Sequence, residues 1–217
     1  MEGIIYKVQP YLEHSRLLFV YTEQGKKTLL AQGAQKVNQA SRILSQYLTK
    51  IHFQDTHKSF SKLIEGSILN DYAHIKTDFY QTKYAALMFE IIDHIVTDDL
   101  NHQVIYLDIS HALDSRKIDI AALSFAVKIL RPLGFGIDLK PSGKKILGVS
   151  IEKGGLTYEK ESYKVDLEIK EATQLLKLSQ LSYESLDQQE DFNLPLLKIF
   201  ILNYYQYHLQ TTLKNLQ

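Results

Sequence analysis

The chain has 217 residues, 45% of them hydrophobic and 23% charged, with 25 basic and 25 acidic side chains and a formal net charge of zero. That length suits one large domain or two smaller ones, and the balance is that of a globular rather than a disordered chain. The absence of cysteine excludes disulfides and thiolate metal sites and fits a reducing, cytoplasmic setting. The longest apolar runs, such as Ile118 to Leu130, are broken by charge well short of a membrane span, and no basic, apolar leader opens the sequence.

The zero sum hides an uneven distribution. Residues 1–50 carry seven basic side chains (Lys7, Arg16, Lys26, Lys27, Lys36, Arg42, Lys50) against three acids (Glu2, Glu13, Glu23), whereas residues 81–217 carry fifteen basic and eighteen acidic ones. A mildly positive head can hold a polyanion locally, because screening confines its field to about 8–10 Å at moderate salt. Scattered surface lysines produce the same count, so charge alone permits nucleic acid without requiring it.

Taken in chain order, the first seventy residues read as short strands. Ile4 to Val8 and Arg16 to Thr22 are β-branched and aromatic, and Glu23-Gln24-Gly25-Lys26 comes next as a hairpin turn. Lys27 to Ala31 resumes the strand, and Tyr47 to Phe53 alternates again. Phe60 to Leu69 closes the series with a bend or bulge expected at Gly66. Five short strands in this span predict a small closed barrel; an OB-fold matches the size, and an SH3-like barrel reads almost identically.

After Asn70-Asp71 the period changes to three or four. Phe79, Ala86, Leu87, Phe89, Glu90, Ile91 and Ile95 predict a long helix, with further helices over Gln103 to Leu113 and Lys117 to Leu130, stopped by Pro132 and Gly134. Asn70 or Asp71 would cap the first helix, and Asp114 or Ser115 the third. Residues 134–167 hold six of the ten glycines and read as an irregular insert with short β-like pieces such as Ile146 to Ile151. Helical pattern returns at Leu167 to Leu181 and Leu194 to Leu216, with Pro195 in the first turn. The fold class expected is α+β: a five-stranded barrel over 1–71, then a helical domain over 72–217 interrupted at about 134–167.

Catalytic motifs are weak. Gly134-Phe135-Gly136 comes after a helix and has Leu139 where a dinucleotide loop needs its third glycine. Ser142-Gly143-Lys144-Lys145 lacks both the upstream glycine and the hydroxyl of a phosphate loop. Asp108, His111 and Asp114 share a helical face, and His52, Asp55 and His57 cluster at a strand end, but a solvated polar stripe and a solvated loop explain both. No nucleophile elbow or metalloprotease helix is present. This shifts weight from enzyme to binding protein. Aromatic residues interleave with basic ones in the first segment (Tyr6-Lys7, Phe19, Tyr21, Lys26-Lys27, Tyr47, Lys50, Phe53), as in barrels that stack bases on rings while cations track phosphates; alternation also requires about half of such rings as barrel core.

The order of these segments resembles the RecO family. Gly3-Ile4-Ile5-Tyr6-Lys7 is similar to its opening G-I-V-L-K-like strand, and Tyr11 to Leu18 to the next segment, where a Glu and an Arg precede two leucines. Thr22-Glu23-Gln24-Gly25-Lys26 resembles its T-x-x-G-K hairpin, and Ala31-Gln32-Gly33-Ala34-Gln35-Lys36 its A-K-G-A-R-K stretch. Ser41-Arg42 and Gln46-Tyr47 match the family's residues just beyond that stretch. Tyr84 to Ile95 resembles the family's first long helix, and Phe125 to Phe135 its F-x-x-x-L-L-x-x-L-G-Y stretch. Two departures stand out: the family's four-cysteine zinc module has no counterpart in the Gly-rich insert, and Gln32 and Gln35 replace common cations.

The resemblance implies an N-terminal OB-fold joined to a helical domain. It also implies a non-enzymatic protein, without cofactor, that binds single- and double-stranded DNA and anneals complementary strands. With a RecR-like protein, such a mediator helps load RecA on strands coated by single-strand-binding protein (SSB) and binds that protein's acidic C-terminal tail. Lys7, Arg16, Lys26, Lys27, Lys36, Arg42 and Lys50 are the expected phosphate contacts. Lys128 and Arg131 are chemically suited to the carboxylate-tipped tail. The alternative is a protein-only scaffold of a repair complex that has lost most DNA affinity; a hydrolase using Asp108, His111 and Asp114 is a third reading.

Overall fold

Alternating side chains in the first seventy residues build one curled sheet. The computed structural model describes residues 1–35 and 40–217. β1 (Glu2–Tyr11), β2 (Ser15–Thr22) and β3 (Gly25–Ala31) form an antiparallel meander. Its second turn depends on Gly25, whose φ of 103° is costly for any residue with a Cβ. After α1 (Ala40–Leu44), β4 (Thr49–Phe53) pairs with the other side of β1. β5 (Phe60–Lys62) then runs parallel to β3, and β6 (Gly66–Asn70) runs antiparallel to β4.

The resulting order is β5-β3-β2-β1-β4-β6, so two strands consecutive in sequence occupy opposite edges. Flat, those edges would stand about 24 Å apart at ~4.8 Å per strand. Only Leu63, Ile64 and Glu65 join Lys62 to Gly66, a reach of about 14 Å. The sheet therefore has to curl, and Ile5, Leu18, Val20, Leu29, Ala31, Ile51 and Phe53 fill its inner face. The product is the expected α+β arrangement with an OB-like N-terminal sheet, curled into a half-barrel of six strands where five were expected to close. The bend expected at Gly66 is a change of sheet edge.

Helices α2 (Ala73–Lys76), α3 (Phe79–His94) and α4 (His102–Leu113) come next. Asn70 and Asp71 accept backbone N–H bonds from Tyr72 and Ala73 in the turn into α2, while α3 is capped by the Asp78 carboxylate accepting from the Gln81 N–H. The chain divides into two compact units, Met1–Ser110 and His111–Gln217. The boundary expected at 71/72 thus lies inside the first unit.

In the second unit α5 (Ile118–Lys128) is buried along nearly its whole length, which explains its unbroken apolar sequence. It packs against α6 (Ile169–Gln180), α7 (Tyr183–Asp187) and α8 (Leu194–Leu209). Buried polar groups find partners across the helices: the Tyr205 hydroxyl donates to the Ala126 carbonyl at 2.7 Å and Ser124 to that of Leu178 at 2.7 Å. The first turn of α5 is held by Asp187, whose carboxylate accepts from the Ser115 hydroxyl and the Arg116 and Lys117 N–H groups at 2.5–3.1 Å.

The Gly-rich stretch is more regular than expected. β7 (Ile146–Ser150), β8 (Gly155–Tyr158) and β9 (Leu167–Glu168) form a sheet of order β8-β7-β9. Beside it, the Lys153 ammonium is 2.5 Å from Glu161 and lies over the rings of Tyr158 and Tyr163. Asp166 accepts from the Ile151 N–H at 2.8 Å. Packing and ion pairing thus order the segment. Among the described residues, no helix is long and apolar enough to cross a membrane.

Candidate nucleic-acid interface

Strand geometry separates the cations that the sequence groups together. Lys26 and Lys27 are neighbours on β3 and so point to opposite faces of the sheet. The Lys26 ammonium donates to the Asp93 and Val96 carbonyls at 3.0 and 2.8 Å, capping the C-terminal end of α3. Burial lowers its pKa, with Asp93 and Asp98 opposing that shift. Lys27 is 8% exposed and sits 2.6 Å from Asp55. The Lys27 hydrogen bond holds the Asp55 carboxyl below its usual range, burial working against it.

Most of the other expected contacts are also engaged. Lys7 pairs with Asp93 at 2.9 Å, and Lys50 pairs with Glu2 at 3.1 Å while lying over the Tyr106 ring. Arg16 donates one N–H to the Ser45 carbonyl at 3.2 Å. With Val8, Pro10, Tyr47 and Lys76 it lines an open cleft of about 460 Å³. Arg42 is exposed, and its side chain has no partner among the described residues. Lys36 lies outside the described residues. Of the interleaved rings, Tyr6, Tyr21 and Phe53 are buried, so for these three the core explanation holds.

The register assigns the outer face of the sheet. One row across β1, β2, β3 and β5 reads Lys7, Phe19, Thr28, Phe60, and the next reads Gln9, Leu17, Leu30, Lys62. The preceding row, Ile4 with Tyr21 and Lys26, is covered: Tyr21 packs edge-on to His102 and near Tyr106 of α4. Gln9 and Lys62 are exposed, and Phe19, Leu17, Thr28 and Leu30 are partly so. Phe60 stands 52% exposed on an edge strand. Lys58 and Lys62 flank it, exposed and without side-chain partners among the described residues. Sequence reading missed these three. The available signal was the spacing of Phe60 and Lys62 on one strand face, with Lys58 in the bend just before β5.

In the second unit Lys128 and Arg131 line one cavity of about 740 Å³. Val127, Ile137, Leu139 and Leu176 supply apolar wall, and Lys140 adds a third cation. Lys128 is partly committed, donating to the Leu181 carbonyl at 2.9 Å and lying 3.9 Å from the Tyr183 ring centroid. Arg131 and Lys140 are exposed and have no side-chain partner among the described residues. An apolar recess with unpaired guanidinium and ammonium groups can hold an apolar side chain beside a carboxylate. Among the described residues no group of three or more His, Asp or Glu is arranged to hold a metal ion. In the His52, Asp55, His57 group, the Asp55 carboxylate serves as the partner of Lys27.

Comparison with known proteins adds independent findings. Residues 1–72, the half-barrel and its exit, match the family model described as Recombination protein O N terminal. The chain is 26% identical to the DNA repair protein RecO of Bacillus mycoides over 141 residues, covering 62% of this chain and 56% of that protein. It is 24% identical to the namesake of Bacillus cytotoxicus over 140 residues, again covering 62% and 56%. The protein of the same name from Oceanobacillus iheyensis is 23% identical over 174 residues, covering 75% and 67%. The first two matches span little more than half the length of those relatives.

Proposed function

We propose that the chain, whose residues 1–72 match the model described as Recombination protein O N terminal and which is similar to several DNA repair proteins RecO, is a RecO-type protein: a cytoplasmic, non-enzymatic mediator of DNA repair and recombination that binds and anneals DNA. The observation that carries this is the match of residues 1–72 to the family's N-terminal model, joined to an open sheet face whose flanking cations have no side-chain partner among the described residues. Arg42, Lys58 and Lys62, with the cleft residue Arg16, are the phosphate contacts in this reading. Lys26 and Lys27 are structural instead, Lys26 donating to two carbonyls at the end of α3 and Lys27 pairing with buried Asp55, whereas Lys7 and Lys50 hold partly exposed ion pairs that a phosphate can displace. Two strands held side by side with their charge partly neutralised pair faster. The direct test is the annealing of complementary labelled oligonucleotides, which the chain accelerates at low salt. Charge reversal at Arg42, Lys58 and Lys62 together reduces that acceleration, and an unchanged rate contradicts the assignment.

The cavity of the second unit suits the acidic C-terminal tail of SSB, with Arg131 and Lys140 receiving carboxylates and the apolar wall receiving a side chain. Arg131→Glu abolishes binding of a labelled acidic peptide with a free C-terminus, measured by anisotropy, while leaving DNA binding intact. Equal peptide binding by the variant excludes this cavity. A RecR-like protein, and RecA indirectly, complete the partners of this reading. The protein-only scaffold remains the alternative, marked by peptide binding without DNA binding.

A further inference from the structure

We infer that the exposed face of α8 is a self-association surface, on which a second copy of this chain docks through its own α8 in antiparallel register about Asn203. One side of the helix is settled: Leu197, Phe200, Ile201, Tyr204 and Tyr205 are buried in the second unit. The opposite side carries Ile199 and Tyr207, 56% and 57% exposed, with exposed Asn203 and Gln206 and half-buried Leu196 beside them. None of these bears a charge. The basic side chains of the helix, Lys198 and His208, each stand five residues from Asn203 and so turn away from its face. A solvated helix face ordinarily carries charge; this one carries none along a helix about 24 Å long.

The missing charge narrows the occupant. A polyanion or an acidic tail finds no cation on this face, and a charged partner helix would bury its charges unpaired. A second copy of the same face meets neither problem, and the residue order fits a two-fold axis. With Asn203 on the axis, Ile199 of one copy faces Tyr207 of the other, twice over, four residues to either side. The two Asn203 amides then meet N–H to carbonyl. The Tyr207 ring is held before any contact: it packs edge-on to His208 with centroids 4.9 Å apart, and a His208 ring nitrogen lies 2.7 Å from the Ile151 carbonyl. An exposed ring already held in place loses little freedom on docking and serves as an anchor. The strip is about 10 Å wide, well under the standard interface of roughly 800 Å² per partner, so the dimer is weak and concentration-dependent. Such a dimer carries two half-barrels, as the holding of two complementary strands asks; that consequence, and not the dimer, rests on the proposed DNA binding.

Sedimentation equilibrium of the full chain, without nucleic acid and from low to high micromolar concentration, tests the surface. The average mass is expected to rise reversibly from that of the monomer towards twice that value. Ile199→Lys and Tyr207→Glu each weaken association by about tenfold or more. Both positions are more than half exposed, so neither change disturbs the fold, which circular dichroism checks. Mixed in equal amounts, the two variants associate more tightly than either does alone. In the mixed dimer the introduced ammonium and carboxylate face each other at one Ile199–Tyr207 contact, and the other contact stays native. A monomer at every concentration overturns the surface, as does a dimer indifferent to both variants or a mixture no tighter than its components. Each of these results leaves the DNA-binding reading standing.

Discussion

Replacing Lys27 by alanine lowers the stability of the first unit by about 3 kcal/mol, because it strands the buried carboxylate of Asp55. The two groups are 8% and 12% exposed and 2.6 Å apart, so neither has water to fall back on. Urea denaturation of full-length protein shows the effect as a lower midpoint for the unit containing β3. Asp55→Asn gives a smaller loss, since the amide oxygen still accepts the lysine proton. The double change Lys27→Met with Asp55→Leu recovers much of the loss by replacing the pair with apolar bulk of similar volume. The pH dependence has a definite sign: the folded pKa of Asp55 is depressed, so its contribution is complete above the unfolded carboxylate value near 4 and is lost as pH falls through the lower folded value. Lys27→Ala abolishes that acid limb. A midpoint unchanged by Lys27→Ala would return this lysine to the available phosphate contacts.

Gly148→Ala is expected to disrupt the small sheet of the second unit, at a cost of about 3 kcal/mol. A Cβ at this position would lie 2.1 Å from the Leu167 carbonyl oxygen and 2.6 Å from Val165 Cγ1. The first neighbour is backbone and belongs to β9, so relief requires parting β7 from β9. Those strands pair through Gly148 with Glu168 and Val149 with Leu167, and the Asp166 N–H donates to the Val149 carbonyl at 2.9 Å. Hydrogen exchange at the Asp166 amide reports the opening directly. Gly143→Ala is the control: its φ is 81°, but nothing lies within 4 Å of the new methyl. That change costs only the roughly 1–2 kcal/mol of left-handed backbone. Equal effects at the two glycines would mean that strain, and not β7–β9 pairing, governs this segment.

Much of the fold was legible because its signals are local. Arg16 to Thr22 and Lys27 to Ala31 alternate in a way only half-buried strands do, and both are strands with inner faces as expected. Ile118 to Lys128 is apolar on every side because it is surrounded. The sheet edges were not legible. Nothing local in Phe60 to Asn70 reveals that its two halves pair with β3 on one side and β4 on the other, since that depends on how far three residues can reach. The sheet of residues 146–168 was obscured by glycines, which read as irregularity although Gly148 is there to let a carbonyl approach.

The candidate site was legible only as a composition. A lysine in a sequence carries no mark of its partner, and the partners of Lys7, Lys26 and Lys27 lie 86, 67 to 70 and 28 residues away. The six expected cations among the described residues therefore divide into structural ties at Lys26 and Lys27, partly exposed ion pairs at Lys7 and Lys50, and a reachable group at Arg16 and Arg42. The strand period alone would have placed Lys26 and Lys27 on opposite faces. Lys128, the last residue of α5, and Arg131, in the turn just after it, do line one cavity, because three residues of turn, closed by the Arg131 N–H donating to the Lys128 carbonyl, keep them close.

Titration of fluorescent single-stranded DNA with purified protein, followed by anisotropy at low and moderate salt, tests the central claim most directly. Binding at low salt that weakens steeply as salt rises is the predicted result, the slope counting the phosphates neutralised. No binding even at low salt would contradict the claim, leaving the half-barrel fold in place and moving the chain to the protein-only scaffold.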